Sequence, residues 1–181
     1  MSDAFSVVRT EPLLESVVFH VERRFVEGAG ETFDRDIVVH SGAVSILPIA
    51  DDGSIGLLRQ YRASQDQVLW ELPAGTRDVP GEPEEVTAAR EMAEEMGLQA
   101  QSITRLCRYL NSPGWTTQAT TIFVARGLST VERAPDGPEE SSAEVVWLSR
   151  DEACSLLDGH EPLESATMIA LLHVCGMQPL G

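Results

Sequence analysis

The chain has 181 residues, 43% of them hydrophobic, enough to bury the core of one domain with a small appendage. Its 29 acidic residues face 13 basic ones, all arginine, for a net charge of −16. That balance excludes a general nucleic-acid or anionic-membrane surface, which needs a basic footprint to displace counterions. It leaves room for a small phosphate ligand held by a few arginines beside a divalent cation held by carboxylates.

Cys107, Cys154 and Cys175 are odd in number and lack paired spacing. They read as buried thiols in a reducing compartment, not as a disulfide framework or a zinc ribbon. The N-terminal segment lacks the basic-then-apolar pattern of a secretory signal, and no apolar run approaches the roughly 20 residues that cross a bilayer. A soluble, cytoplasmic protein is the expectation.

In chain order, β-rich runs at 16–26 and 36–40 flank a turn at Gly28 and Gly30. Runs at 43–50 and 54–61 are joined by Asp51-Asp52-Gly53, a hairpin signal. Pro83, Glu84, Glu85 and Gly97 have the placement of helix start and stop residues, predicting a helix over about 83–96. Strands follow at 103–110, 120–125 and 144–148, and helices at 150–157 and 163–174. No repeat or long linker interrupts them, and the order is mostly β, then alternating β and α.

On the 83–96 helix, Glu91, Glu94 and Glu95 stand at i, i+3 and i+4 and share a face. Val86, Ala89, Met92, Ala93 and Met96 are expected on the buried side opposite. Only Arg90 is at hand to offset the carboxylates, so a bound cation would relieve their repulsion. Oxygen donors without neighbouring histidine or cysteine favour Mg²⁺, with Mn²⁺ as the second choice. Upstream, Glu71-Leu72-Pro73-Ala74-Gly75 ends a strand and enters a loop, where a backbone carbonyl can reach such a cation.

Gly75, Glu82 and Arg90-Glu91-Met92-Ala93-Glu94-Glu95-Met96-Gly97-Leu98 together resemble the Nudix box, G-x5-E-x7-R-E-U-x-E-E-x-G-U, with U a bulky aliphatic residue. Six residues, not five, separate Gly75 from Glu82. The resemblance implies a Nudix hydrolase that cleaves a nucleoside diphosphate linked to another group. It implies Glu91 and Glu95 as main metal ligands, Glu94 assisting the metal and the catalysis, and the Ala74 carbonyl completing the sphere. Arg90 and Glu82 would orient those carboxylates.

Beyond the box, the chain resembles the ADP-ribose pyrophosphatase group. Leu58-Arg59-Gln60-Tyr61-Arg62 is similar to that group's R-Q-Y-R strand, and an arginine fork suits a diphosphate. Arg62 is the first choice for a substrate contact, with Arg59, Glu71 and Pro113 as further candidates. Pro113 lies sixteen residues after Gly97 and resembles the proline that marks the group, although Gln118 stands where an acid is common. In Pro135-Asp136-Gly137-Pro138-Glu139-Glu140, the resemblance implies a loop glutamate as general base, either Glu139 or Glu140. Trp115 is a candidate for the nucleotide pocket, Trp70 and Trp147 read as core, and His20, His40, His160 and His173 have no metal spacing.

The implied fold is the Nudix α/β/α sandwich with a mixed β-sheet, over residues 42–181. A small antiparallel β unit, residues 1–41, precedes it and in similar proteins is exchanged across a homodimer. The implied reaction is hydrolysis of ADP-ribose to AMP and ribose 5-phosphate. Another nucleoside diphosphate sugar, such as GDP-mannose or a UDP-sugar, is the nearest alternative, and a non-catalytic ADP-ribose-binding module is a further one.

Overall fold

The computed structural model describes residues 5–159 and 161–176; His160 lies outside the described residues. Two compact units divide the chain, one running to Ala43 and including Tyr109–Thr120, the other comprising the remainder.

In the first unit, β1 (Phe5–Glu15), β2 (Phe19–Gly28) and β3 (Glu31–His40) form an antiparallel meander in sequence order. Gly30 turns β2 into β3 with φ +79°. Tyr109–Thr120 is fastened to β3, since the Val38 N–H donates to the Trp115 carbonyl at 2.8 Å and the Thr117 N–H donates to the Val38 carbonyl at 3.0 Å. Sequence patterning misses β1, where Pro12 and charged residues interrupt the apolar ones and almost every residue is exposed.

The second unit holds two sheets. β5 (Ile55–Arg62) lies between β10 (Glu144–Leu148) and β6 (Gln67–Glu71), antiparallel to both. The other sheet has the order β7-β4-β9-β8, formed by Ala74–Thr76, Ala43–Pro48, Ala119–Thr130 and Leu98–Leu110. Strands β8 and β9 are longer than patterning suggests, whereas β10 has the expected bounds. The helices are α1 (Glu84–Met96), α2 (Gly137–Ser142), α3 (Arg150–Ser155) and α4 (Ser165–Cys175), with a 3₁₀ turn at Leu156–Asp158.

β4 explains the layering. Val44 and Ile46 pack with Leu58, Phe123, Ala125 and the α1 residues Ala88, Met92 and Met96. Side chains alternate faces along a strand, so Leu47, Leu57 and Ile122, equally buried, belong to the opposite faces. Strands buried on both faces are those of a layered α/β fold. Gly97 ends α1 in the left-handed conformation, φ +68°, and its N–H donates to the Ala93 carbonyl at 3.0 Å.

Three expectations are corrected. Cys154 and Cys175, 21 residues apart, form a disulfide between α3 and α4, leaving Cys107 as the free thiol. Trp147 is 40% exposed because β10 is an edge strand. The acids at 139–140 belong to the short helix α2, not to an irregular loop.

No helix among the described residues is long and apolar enough to cross a membrane.

Candidate active site

The site is built on α1, whose buried stripe differs from the expected one. Thr87, Ala88, Glu91, Met92, Glu95 and Met96 are buried, while Val86 is 48% exposed. Two i, i+4 rows therefore face inward side by side, one apolar and one carrying carboxylates. Glu91 and Glu95 do not stand opposite the core stripe; they border it.

Burial governs both acids. It pushes the Glu95 carboxyl up to about 8, helped by the charges of Glu140 and Glu91 and opposed by the Ala74 N–H and Arg62. It pushes Glu91 up to about 7, with Glu94, Glu140 and Asp78 adding to the effect and Arg90 opposing it. The Ala74 N–H donates to Glu95 Oε2 at 2.8 Å, joining the ELPAG turn to α1. Gly75 is required by the same approach, since a Cβ there would lie 2.0 Å from the Glu91 carboxyl carbon.

Arg90 reaches Glu91 and Glu94 at 2.9 Å each, Asp78 at 3.5 Å and Glu82 at 3.9 Å. Glu82 in turn accepts from the Thr87 hydroxyl at 2.8 Å. The loop ahead of α1 turns at Gly81, φ +80°, with the Glu82 N–H donating to the Val79 carbonyl at 3.2 Å.

Arg62 and Glu71 form a forked pair on neighbouring strands, Nε to Oε1 at 2.9 Å and Nη2 to Oε2 at 2.6 Å. Glu71 is only 2% exposed, and its hydrogen bond holds the Arg62 guanidinium above its ordinary pKa. Arg62 Nη1 lies 4.0 Å from Glu139. Arg59 leans over the Trp70 ring at 5.1 Å and reaches Glu161 at 3.9 Å, away from this pair. Pro113 and Trp115 lie exposed in the first unit.

The candidate bases differ in surroundings. Glu140 raises the pKa of both Glu91 and Glu95, whereas Glu139 acts on Arg62 and Tyr61. Glu140 also accepts from the Asp136 N–H at 2.6 Å. Two residues escaped the sequence reading. Gln60 is buried, and neither polar atom of its carboxamide has a hydrogen-bond partner among the described residues. Arg133 donates to the carbonyls of Glu95, Glu140 and Ala143 at 2.5, 2.8 and 3.3 Å.

Among the described residues, no three His, Cys, Asp or Glu side chains gather as a ready metal centre. Glu94 is turned to Arg90 and Glu95 to the Ala74 amide. The donor chemistry nevertheless fits a hard divalent cation: Glu91 and Glu95 are buried carboxylates, Gly75 gives one of them space, and a positive guanidinium already rests on the cluster.

The NUDIX domain model matches residues 39–171, across both sheets and α1. The chain belongs to the Nudix family. It is 35% identical over 171 residues to an ADP-ribose pyrophosphatase of Mycobacterium tuberculosis, covering 94% of this chain and 83% of the relative. An ADP-ribose pyrophosphatase of Bacillus subtilis is 32% identical over 145 residues, 80% of this chain and 78% of the relative. A crystal structure of an ADP compounds hydrolase superimposes with a TM-score of 0.80 at 24% identity, covering 96% of this chain and 92% of that one. The expected Nudix fold, with its mixed sheet and antiparallel N-terminal sheet, is the one observed.

Proposed function

We propose that this Nudix protein hydrolyses the diphosphate of ADP-ribose to AMP and ribose 5-phosphate. The observation that carries the chemistry is the buried Glu91–Glu95 row against Ala74 and Gly75, with the Arg62–Glu71 fork nearby in the electrostatic field of Glu95. The choice of substrate follows the two ADP-ribose pyrophosphatases, which match most of the chain.

Glu91 and Glu95 would hold Mg²⁺, or Mn²⁺ in its place, with Glu94 and the Ala74 carbonyl as further ligands. Bound there, the cation supplies a bound water of lowered pKa and neutralises charge on the diphosphate. Arg90 and Glu82 orient the carboxylates. Arg62, its fork fixed by Glu71, presents its remaining guanidinium edge to a phosphate. Glu140 is the favoured base, because its charge reaches both ligand carboxylates, whereas Glu139 faces Arg62.

The domain reading is a Nudix hydrolase domain over 42–181 preceded by a β unit over 1–41 that joins a homodimer. Support comes from β1 and the turn after it, where Phe5, Val7, Val8, Leu13, Leu14, Val17 and Val18 are each about half exposed or more. Light scattering on the eluted protein should give twice the chain mass, and a monomer at micromolar concentration would overturn the dimer. The cytoplasm remains the proposed compartment. Recovery of the Cys154–Cys175 disulfide intact from cells alkylated at lysis would overturn that choice, since disulfides persist in oxidising compartments.

Comparing kcat/KM for ADP-ribose, GDP-mannose and UDP-glucose with Mg²⁺ tests the substrate. ADP-ribose should be preferred; a higher value for either other sugar would reassign the substrate within the family. Tight binding of ADP-ribose without turnover would favour a binding module.

A further inference from the structure

Arg133 occupies an unusual position between the two acid-bearing helices. Its Nε donates to the carbonyl of Glu95, in the last turn of α1, and its Nη2 donates to the carbonyls of Glu140 and Ala143, at the end of α2. One planar guanidinium therefore spans both segments, and its geometry fixes their separation at these points. The backbone around it reinforces the attachment to α1. The Ala134 N–H donates to the Glu94 carbonyl at 3.1 Å, and the Val131 N–H donates to the Gly97 carbonyl at 2.8 Å. A Cβ at Gly97 would come within 3.0 Å of the Val131 carbonyl oxygen and 3.4 Å of the Arg133 Cβ, so the glycine leaves space for this segment. A cation at the carbonyl end of a helix is also favoured by its dipole.

Arg133 is the cross-link in the structure that joins the backbone of a cation-holding acid to that of a candidate base. α2 has no buried residue of its own, so apolar packing contributes little to its placement. Its acids would be set by polar ties, and among the described residues Arg133 is a tie that leads to α1.

We propose that Arg133 is a positioning residue that sets the distance between the metal-binding carboxylates of α1 and the general base on α2. This rests on the hydrolase reading above. Glutamine at 133 cannot span both carbonyls, and lysine can reach one or two of them without the planar fork. A base misplaced by about 1 Å can cost about 10²-fold. R133Q should therefore lose about 10- to 100-fold in kcat, with KM for ADP-ribose and the Mg²⁺ requirement changed by less than about threefold. R133K should recover part of the loss.

A double-mutant cycle with E140Q separates this role from general stability. If Arg133 acts through Glu140, R133Q should cost little further rate once Glu140 is gone. A full additional loss in the double variant, or an unchanged kcat in folded R133Q, would overturn the proposal. Hydrogen exchange gives a readout independent of substrate. Amides of Gly137–Ser142 should exchange faster in R133Q than in the wild type, and unchanged exchange there would also overturn it. If the wild type failed to cleave ADP-ribose, the substrate reading would fall, and this exchange comparison would still decide whether Arg133 holds α2.

Discussion

The two acid-bearing helices of the second unit are held in opposite ways. α1 buries Glu91 and Glu95 beside Ala88, Met92 and Met96, so its carboxylates are fixed by the packing that makes the core. α2 has no buried residue, and Glu139 and Glu140 are placed by a short helix, an N–H bond from Asp136, the Arg62–Glu139 pair and the Arg133 cross-link. The difference teaches that the Glu91–Glu95 row, proposed to bind the cation, borders the packing that makes the core. The segment proposed to carry the base has no buried residue. A change on α1 should therefore affect metal binding and stability together, and a change on α2 should affect rate alone.

The largest expected effect comes from G75A. Its Cβ would meet the Glu91 carboxyl, which must move, so hydrolysis should fall on the order of 10³-fold together with Mg²⁺ affinity. Steady-state rates with a Mg²⁺ titration check this, and a normal titration would show that Glu91 does not need its position. E140Q should lower kcat by about 10²-fold, within the range of a lost general base, with the melting temperature unchanged. E139Q should do much less, and the reverse ranking would move the base to Glu139. E71Q removes the charge that fixes the Arg62 fork and should raise KM for ADP-ribose by about tenfold, roughly the worth of one charge-assisted hydrogen bond. A change confined to kcat would separate Arg62 from substrate binding.

The smallest effect is on stability against pH. Glu91 and Glu95 titrate near 7 and 8 when folded, above the ordinary carboxylate value, so the metal-free folded chain retains protons that the unfolded chain has released. Their stabilising contribution is complete below the unfolded value and is lost as pH rises through about 7 and 8. A divalent cation takes the ionised forms, so its stabilisation should grow over the same interval. Melting curves at pH 6 and pH 8.5, with and without Mg²⁺, should show the larger cation-induced rise at the higher pH.

Much of this site was legible because its parts follow local rules. The carboxylate spacing and the Gly97 stop come from helix geometry, and the Asp-Gly turn before β5 comes from turn chemistry, although the runs it joins meet at a single bridge, Ile49 to Ile55, and β4 and β5 lie in different sheets. What was not legible depends on tertiary placement. Glu91 and Glu95 were expected opposite the apolar stripe, but a wheel does not show that two neighbouring rows can both be covered. Asp136-Gly137-Pro138 reads as a turn, and the helix that follows is too short to show a period. Cys154 and Cys175 become partners only when α3 and α4 pack together. Arg133 binds backbone carbonyls, which carry no sequence signature.

The central claim is that the buried carboxylates of α1 hold the cation that drives cleavage of ADP-ribose. Its most direct test follows AMP and ribose 5-phosphate by chromatography for the wild type and E95Q, with Mg²⁺ and with a chelator. Both products should appear only from the wild type with Mg²⁺, while E95Q stays folded and inactive. Near-normal turnover by E95Q, or product formation by the wild type in chelator, would contradict it.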